Sequence, residues 1–485
     1  MKVKSINSVP LELTFDQQQA LVLFSKWLED TNSSIPFVLS GFAGSGKTFL
    51  STRFLQMVED SGLCWTVAAP THKAVGVLRQ SLVSENLWPT WHPSTIHRLL
   101  RLKLKRKGDL EVCEKTDLTP NSLENLQLVL VDEASMIDST LLEIALECAQ
   151  PFSTRLVFVG DPAQLPPVDE DASPIFSMRR AITFELKKVV RHAGPVLKLA
   201  SAVRDGSFAC TSPPSEVVVN NLDGVVGSLE KNNWLKKAQE ALSLSAKNDN
   251  PDEARILCYT NRCLEGLVPI ARRAIHGEMA DQLPVLPGEV LITRKAVMAG
   301  ASREEGEVGE APDMVLGSNR EMVVLDVTPE KFNLAEIGLA LHDNWTPPCI
   351  DTLQLEVRSG ELELSLRLLP SIGTEGRAIL DATLNRLKNQ AKEVGKSEGR
   401  VFWRQFFQVR DAFASLGPAA VLTVHRSQGS SFDNVFVASD VFWPKDLTLR
   451  KQLLYVAVSR ARKSVWLWGT YQDSARNNSW EEQLL

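Results

Sequence analysis

The eight residues Gly41-Phe42-Ala43-Gly44-Ser45-Gly46-Lys47-Thr48 meet every position of the pattern G-x-x-x-x-G-K-[ST]. They constrain the fold more than any other stretch, because this loop cradles a phosphate only when a strand feeds it and a helix leaves it. Both flanks agree: Pro36-Phe37-Val38-Leu39-Ser40 reads as a short buried strand, and residues 48–55 repeat apolar side chains at helical spacing. In that setting Gly41, Gly44 and Gly46 let backbone N–H groups, those of Ala43 and Ser45 among them, close round a phosphate at a helix N-terminus. Lys47 then reaches the β and γ phosphates, and Thr48 can ligate magnesium. The chain is expected to bind a nucleoside triphosphate with Mg2+.

At 485 residues the chain exceeds one ordinary core and is expected to form about three domains. No run approaches the roughly 18 apolar residues of a membrane span, and Met1-Lys2-Val3-Lys4 opens no apolar signal core. The expectation is a cytoplasmic protein with no membrane partner. Seven cysteines, odd in number and scattered without C-x-x-C spacing, point to reduced thiols rather than a zinc site. The net charge of -6 leaves room for local basic grooves, so charge has to be read stretch by stretch.

Ahead of the loop, Thr14 stands at a helix cap with Gln17 three residues on, the spacing of a capping box. Gln17 equally offers adenine an amide with paired donor and acceptor edges. The apolar run 63–69 ends in Pro70-Thr71-His72-Lys73, a polar loop opening a helix. Ligands gather at the carboxyl ends of parallel strands, which sets this loop beside the phosphate loop. His72 and Lys73 there either contact a phosphodiester backbone or form plain surface. Residues 98–112 alternate leucines with bases and turn at Gly108-Asp109, the pattern of a β-hairpin over 100–112 with one basic face. Six bases fall within residues 98–107, enough for a contact to DNA or RNA, or a solvated face.

Leu128-Val129-Leu130-Val131 is a buried strand ending in Asp132-Glu133. After a phosphate loop, the first acid at such a strand end holds magnesium and the second takes a proton from attacking water. The strand 155–159 runs into Gly160-Asp161-Pro162-Ala163-Gln164, where Gln164 can sense a γ phosphate. The stretch 184–191 then offers one strongly placed cation, Arg191, which by itself reads as a surface residue. Residues 206–252 are polar and read as a loop-rich connection with a helix around Trp234. Beyond them, the strand 256–261 meets a helix over 262–276, and apolar runs at 420–424, 435–438 and 465–468 suit a second α/β domain. Alternating strands at 322–327, 352–357 and 361–369 suggest a small inserted β-barrel, followed by helices at 377–394 and 400–413. Trp403 and Phe407, at helical spacing, read as core, and the acidic loop Glu304-Glu305-Gly306-Glu307 as solvated. Near the end come the polar loop 422–431 and a helix over 452–462 ending in arginines; an arginine reaching a transferred phosphoryl group stabilises its charge.

Taken in order, these motifs resemble the superfamily-1 (1B) DNA helicases of the RecD-like branch, most closely the phage Dda-type members, across nearly the whole chain. Residues 13–21 look like the family's glutamine motif and 41–48 like its first motif. Residues 69–75 and Ser94-Thr95-Ile96-His97 are similar to two DNA-contacting motifs, Asp132-Glu133 to the second motif and 160–167 to the third; Arg191, Thr260-Asn261, 423–429 and 455–460 match later ones. The resemblance implies an α/β fold of two RecA-like P-loop motor domains with parallel sheets. Its first motor domain would span 1–98 and 116–190, with a β-hairpin pin at 99–115. The second would span 191–297 and 414–485, with an inserted β-barrel and helical tower at 298–413.

The same resemblance implies ATP-dependent, DNA-stimulated translocation 5′ to 3′ on single-stranded DNA, coupled to duplex unwinding. ATP would meet Gln17, Gly41, Ala43, Gly44, Ser45, Gly46, Lys47, Thr48 and Gly429, with magnesium on Thr48 and Asp132. Catalysis would rest on Lys47, Glu133, Gln164, Arg191 and Arg460. DNA would meet Pro70, Thr71, His72, Lys73, Ser94, Thr95, His97, Thr260, Asn261, Thr423 and His425. The implied partners are single-stranded and duplex DNA, and replication or recombination proteins such as a single-stranded-DNA-binding protein, with the enzyme itself monomeric. The pin tip, Lys107-Gly108-Asp109, carries no aromatic side chain. Other readings are a translocase that opens no duplex, a RecD-like recombination subunit, a nucleic-acid-binding protein without catalysis, and a protein-remodelling ATPase. Lys47, Asp132, Glu133, Gln164 and both arginines, all present, weigh against loss of catalysis.

Overall fold

A computed structural model describes residues 13–30, 35–107, 110–167, 170–187, 194–208, 210, 213, 217–301, 314–337, 339, 345–394 and 396–469. Arg191, the pin tip Gly108-Asp109 and the acidic loop 304–307 lie outside them. The chain divides into two compact units, Met1–Lys231 with Ser427–Leu485, and Asn232–Arg426. Among the described residues no helix is long and apolar enough to cross a membrane.

The first unit is built on a parallel sheet whose strands run in the order Ser94–Thr95, Trp65–Ala69, Leu128–Val131, Arg155–Gly160, Phe37–Gly41 and Ile182–Leu186. Its inner strands are apolar on both faces, as helices on both sides require. Phe37, Leu39, Val67, Leu128, Leu130, Val157 and Val159 enter one core; Val38, Ala68, Val129, Val131, Leu156 and Phe158 enter the other. In the first core Phe24 stacks on Phe54 at 3.9 Å, and Phe37 meets both rings edge-on. Burial of each such ring contributes about 2 kcal/mol. The trio locks the helices Phe15–Glu29 and Lys47–Asp60 against the strand that feeds the phosphate loop.

Four neighbouring strands of a second sheet also lie in this unit: Phe432–Val437, Ala461–Trp468 and Gly224–Leu229 run parallel, and Val217–Asn221 closes the edge antiparallel. The stretch expected as a loop-rich connection therefore contains a hairpin. Its edge strand buries Val217 and Val219 but exposes Val218, Asn220 and Asn221, and this half-polar alternation is why it read as loop. The expected helix around Trp234 forms as Lys231–Lys247. The basic hairpin forms later than expected, as Lys103–Lys107 paired with Leu110–Glu114. Leu99 and Leu100 belong instead to a short helical turn and the core, and Arg101 turns the chain at φ 51°.

In the second unit, the strand Ala254–Cys258 pairs in parallel with Val421–Thr423 and leads into the helix Asn261–His276. The strands expected as a barrel form an antiparallel sheet in the order Leu362–Arg367, Cys349–Ser359, Glu321–Asn333, Val290–Thr293 and Leu416–Pro418. A parallel bridge between Leu368 and Ala414 links the end of the first of these to the chain just ahead of the last, curling the sheet back on itself. Beyond this core, Glu321–Asn333 and Cys349–Ser359 continue as a ribbon, from Pro329 opposite Leu353 to Asn333 opposite Cys349. Pro329, which cannot donate to a ladder, stands where the strand leaves the sheet interior. The helices Glu375–Glu393 and Lys396–Asp411 pack on the ribbon's far end in a separate core with Phe332 and Ile350. Gly376 permits that contact, since a Cβ there would overlap the carbonyl of Asp351. On the second helix it is Phe402, Phe406 and Val409 that face this core. Trp403 and Phe407, expected as core, are rotated off it and stack on each other at 6.0 Å.

Candidate nucleotide and nucleic-acid site

The carboxyl edge of the first parallel sheet collects the loops on which most of the expected site residues sit. The phosphate loop follows the strand Phe37–Gly41, and Gly44 and Gly46 hold φ 79° and 86°, where a side chain would be strained. Gly41 has no room for a Cβ, which would fall 2.7 Å from Ser45 Oγ and 2.9 Å from Leu186 Cβ. The helix Lys47–Asp60 begins at Gly46 with no side-chain cap, leaving its first turn suited to an anion. Lys47 Nζ bends back to donate to the carbonyls of Gly41 (2.7 Å) and Phe42 (3.0 Å). Ser45 Oγ is buried without a hydrogen-bond partner among the described residues.

Gln17 is buried under this loop. Its Oε1 accepts from Thr14 N–H at 3.1 Å, completing the capping box, and its Nε2 donates to the carbonyl of Ser45 at 3.3 Å. Each of those atoms keeps one further hydrogen-bonding position, the capacity adenine would need.

Asp132 and Glu133 end the strand Leu128–Val131. Glu133 adopts φ 53°, a left-handed conformation costly for a side-chain-bearing residue, and its N–H donates to Asp132 Oδ1 at 2.8 Å. Burial, and after it the Glu133 carboxylate, push the Asp132 carboxyl up to about 7, while the Glu133 N–H and Lys47 pull the other way. Thr48, exposed on the first helical turn, and Asp132 offer the hard oxygen ligands that magnesium takes. Gln164 is buried, and its Oε1 has no partner among the described residues. A buried acceptor left open in this way suits a ligand's donor or an ordered water. The residues present therefore fit a nucleoside triphosphate with its magnesium.

The helix Leu447–Ser459 carries further contacts to this edge. Tyr455 accepts from the Ala43 N–H (2.9 Å) and donates to Asp161 Oδ2 (2.5 Å). Arg460 is the C-cap of that helix rather than part of a longer one, and Arg462 already lies in the strand Ala461–Trp468. The Arg460 guanidinium donates to the carbonyls of Val456 and Ser430 and to Ser459 Oγ. Gly429, at φ 72°, packs so closely that a Cβ would lie 3.1 Å from Thr71 Oγ1. Beside it Gln428 donates to the carbonyl of Leu165.

Of the residues expected on DNA, Pro70, Thr71, His72, Lys73, Ser94, Thr95 and His97 share the carboxyl edge of the first unit's sheet. Thr260, Asn261, Thr423 and His425 lie at the equivalent strand ends of the second unit. Thr71, Thr95 and Thr260 are helix N-caps, each hydroxyl oxygen accepting from a backbone N–H three residues on. Burial lowers the His97 pKa, with Asp138 opposing. Thr423 is buried, whereas His425 is exposed, 6.2 Å ring to ring from Tyr259.

Asp161 and Tyr455 were not singled out from the sequence. A signal existed: Tyr455 is the one polar ring in the apolar run Leu453-Leu454-Tyr455-Val456-Ala457-Val458, and a buried phenol needs a partner.

Two family descriptions match the sequence, an AAA domain over residues 17–213 and a UvrD-like helicase C-terminal domain over residues 418–468. The chain is similar to the ATP-dependent DNA helicase dda of Enterobacteria phage T4, 23% identical over 470 residues that cover 94% of this chain and 99% of that protein. It is 22% identical over 497 residues to the RecBCD enzyme subunit RecD of Haemophilus influenzae, covering 94% of this chain and 70% of that protein. Among solved structures, it is similar to a crystal structure of Bacteroides Pif1 bound to ssDNA, with TM-score 0.46, 16% identity and coverage of 97% and 96%.

Proposed function

The chain belongs to the RecD-like branch of the superfamily-1 helicases, and from that premise we propose that it is an ATP-hydrolysing DNA helicase that moves 5′ to 3′ on single-stranded DNA and opens duplexes. The observation that carries this reading is the convergence, at one sheet edge, of the phosphate loop, Asp132-Glu133 and Gln164 with its open acceptor. In the proposed reaction, water attacks the γ phosphorus, the bond to the bridging oxygen breaks, and ADP and phosphate leave. Glu133 takes the proton from the water, and Lys47 neutralises charge on the phosphates. Magnesium held by Thr48 and Asp132 would supply further neutralisation when bound. Arg460 and Arg191 stabilise the charge that develops during transfer; Arg460 must exchange its present carbonyl partners to do so. Gln17 reads the base, with Gly429 beside the nucleotide, and Gln164 reports the γ phosphate.

DNA is held through its phosphates by the strand-end residues 70–73, Ser94, Thr95, His97, Thr260, Asn261, Thr423 and His425, so sequence preference is slight. The motor domains span 1–98 with 116–190, and 191–297 with 414–485. The hairpin at 99–115 serves as the pin, and 298–413 as the tower. The protein acts in the cytoplasm, of the host cell if it is phage-encoded, as a monomer alongside a single-stranded-DNA-binding protein.

Two duplexes, one with a 5′ and one with a 3′ single-stranded tail, test this with ATP hydrolysis followed in the same tubes. The expected result is opening of the 5′-tailed duplex alone. Hydrolysis stimulated by DNA with neither duplex opened would make the chain a translocase or a RecD-like subunit and remove the pin's role. No stimulation of hydrolysis by DNA would overturn the helicase reading.

A further inference from the structure

The hydroxyl of Tyr455 joins three sequence motifs at one point. It accepts from the Ala43 N–H, in the third position of the phosphate loop, and donates to Asp161 Oδ2. Asp161 is fully buried, and its other oxygen accepts from Ala163 N–H at 3.0 Å. A phenol has one proton, and the carboxylate takes it, so the direction of the chain is fixed from N–H through O–H to carboxylate. Burial and the Asp161 charge both keep that phenol protonated. Asp161 also accepts, through its carbonyl, from the N–H of Gln164. Tyr455 itself stands five residues before Arg460. The same end of the phosphate loop is gripped independently by Arg204, whose guanidinium lies 3.9 Å over the Phe42 ring.

We propose that Tyr455 is a positioning residue for ATP hydrolysis, its hydroxyl setting the phosphate-loop backbone at Ala43 against the Asp161 loop that carries Gln164. This rests on the ATPase reading above. Removing the hydroxyl keeps the ring's apolar packing but leaves a part-buried N–H and a buried carboxylate without their bridge. The loop must then shift to satisfy them, and a shift of about 1 Å near reacting groups costs up to about 100-fold in rate.

The test uses the full chain with single-stranded DNA. Tyr455→Phe is expected to lower kcat for ATP between about 10- and 100-fold, with KM changed less than about threefold. An unchanged kcat, or a rise in KM alone, would overturn the proposal. If the unsubstituted chain hydrolyses no ATP, the functional reading itself falls and the proposal falls with it. A second measurement needs no folded Tyr455 variant. The sequence has three tyrosines, Tyr259, Tyr455 and Tyr471. Fluorotyrosine labelling, with resonances assigned through Tyr259→Phe and Tyr471→Phe, isolates the Tyr455 signal. That signal should move when a non-hydrolysable ATP analogue is titrated in; a fixed Tyr455 resonance under saturating analogue overturns the proposal.

Discussion

Two regions of this protein bury polar groups in opposite ways. At the carboxyl edge of the first unit's sheet, Gln164 Oε1 and Ser45 Oγ stay open, and the Asp132 carboxyl is pushed up to about 7 by its surroundings. In the second unit, Glu289 takes two bonds from Arg272, at 2.7 and 3.1 Å, and another from Leu286 N–H, while Arg272 also donates to the carbonyls of Ala280 and Leu283. Arg367 and Glu330 are likewise joined twice, at 2.9 and 3.0 Å. Desolvating a charge is costly wherever it happens. These two pairs offset that cost internally, and the sheet edge leaves it to a ligand. Substitutions in the two places should therefore separate activity from stability.

The largest effect is expected for Lys47→Ala, which should cut ATP hydrolysis by about 1,000-fold or more. Its denaturant unfolding curve should move little. Normal turnover in that variant would break the comparison at its functional end. Glu289→Ala should do the reverse, removing about 3 kcal/mol of stability by stranding Arg272, with hydrolysis per folded molecule unchanged. Chemical denaturation gives the stability, and an unshifted midpoint would break the comparison at its structural end.

Arg460→Ala should slow turnover about 100-fold while nucleotide binding persists, read by ATPase rates beside a fluorescent-nucleotide titration. A loss of binding equal to the loss of rate would instead make Arg460 part of the resting architecture its present carbonyl bonds describe. Thr260→Ala is expected to be mildest. It should cost about 1 kcal/mol of helix capping and weaken binding of a labelled single-stranded oligonucleotide several-fold. Capping loss without any change in DNA affinity would mark Thr260 as structural only.

What could be read from the chain and what could not divide along sequence distance. The phosphate loop, Asp132-Glu133 and the α/β class were legible because buried parallel strands are unbroken apolar runs and each motif residue directly follows its strand. The Tyr455 bridge was hidden because its partners lie 412 and 294 residues away in sequence. The hairpin's start was misjudged because Leu99 and Leu100 satisfy strand alternation and core packing equally well, and the core took them. Trp403 and Phe407 were misread for a related reason. Helical periodicity gives the spacing of a stripe but not which stripe faces the partner, and here residues 402, 406 and 409 do.

The ribbon that carries the helices Glu375–Glu393 and Lys396–Asp411 has a mechanical consequence. From Pro329 opposite Leu353 to Asn333 opposite Cys349 it spans five residue pairs, an arm of about 16 Å. A load on the helices acts through that arm as torque on its root. Three pairs into the sheet from that root, the ladder is irregular between Val324 and Asp326. The bulge is thus the compliant joint of a cantilever, and under tension this unit should bend there before either of its cores is torn open.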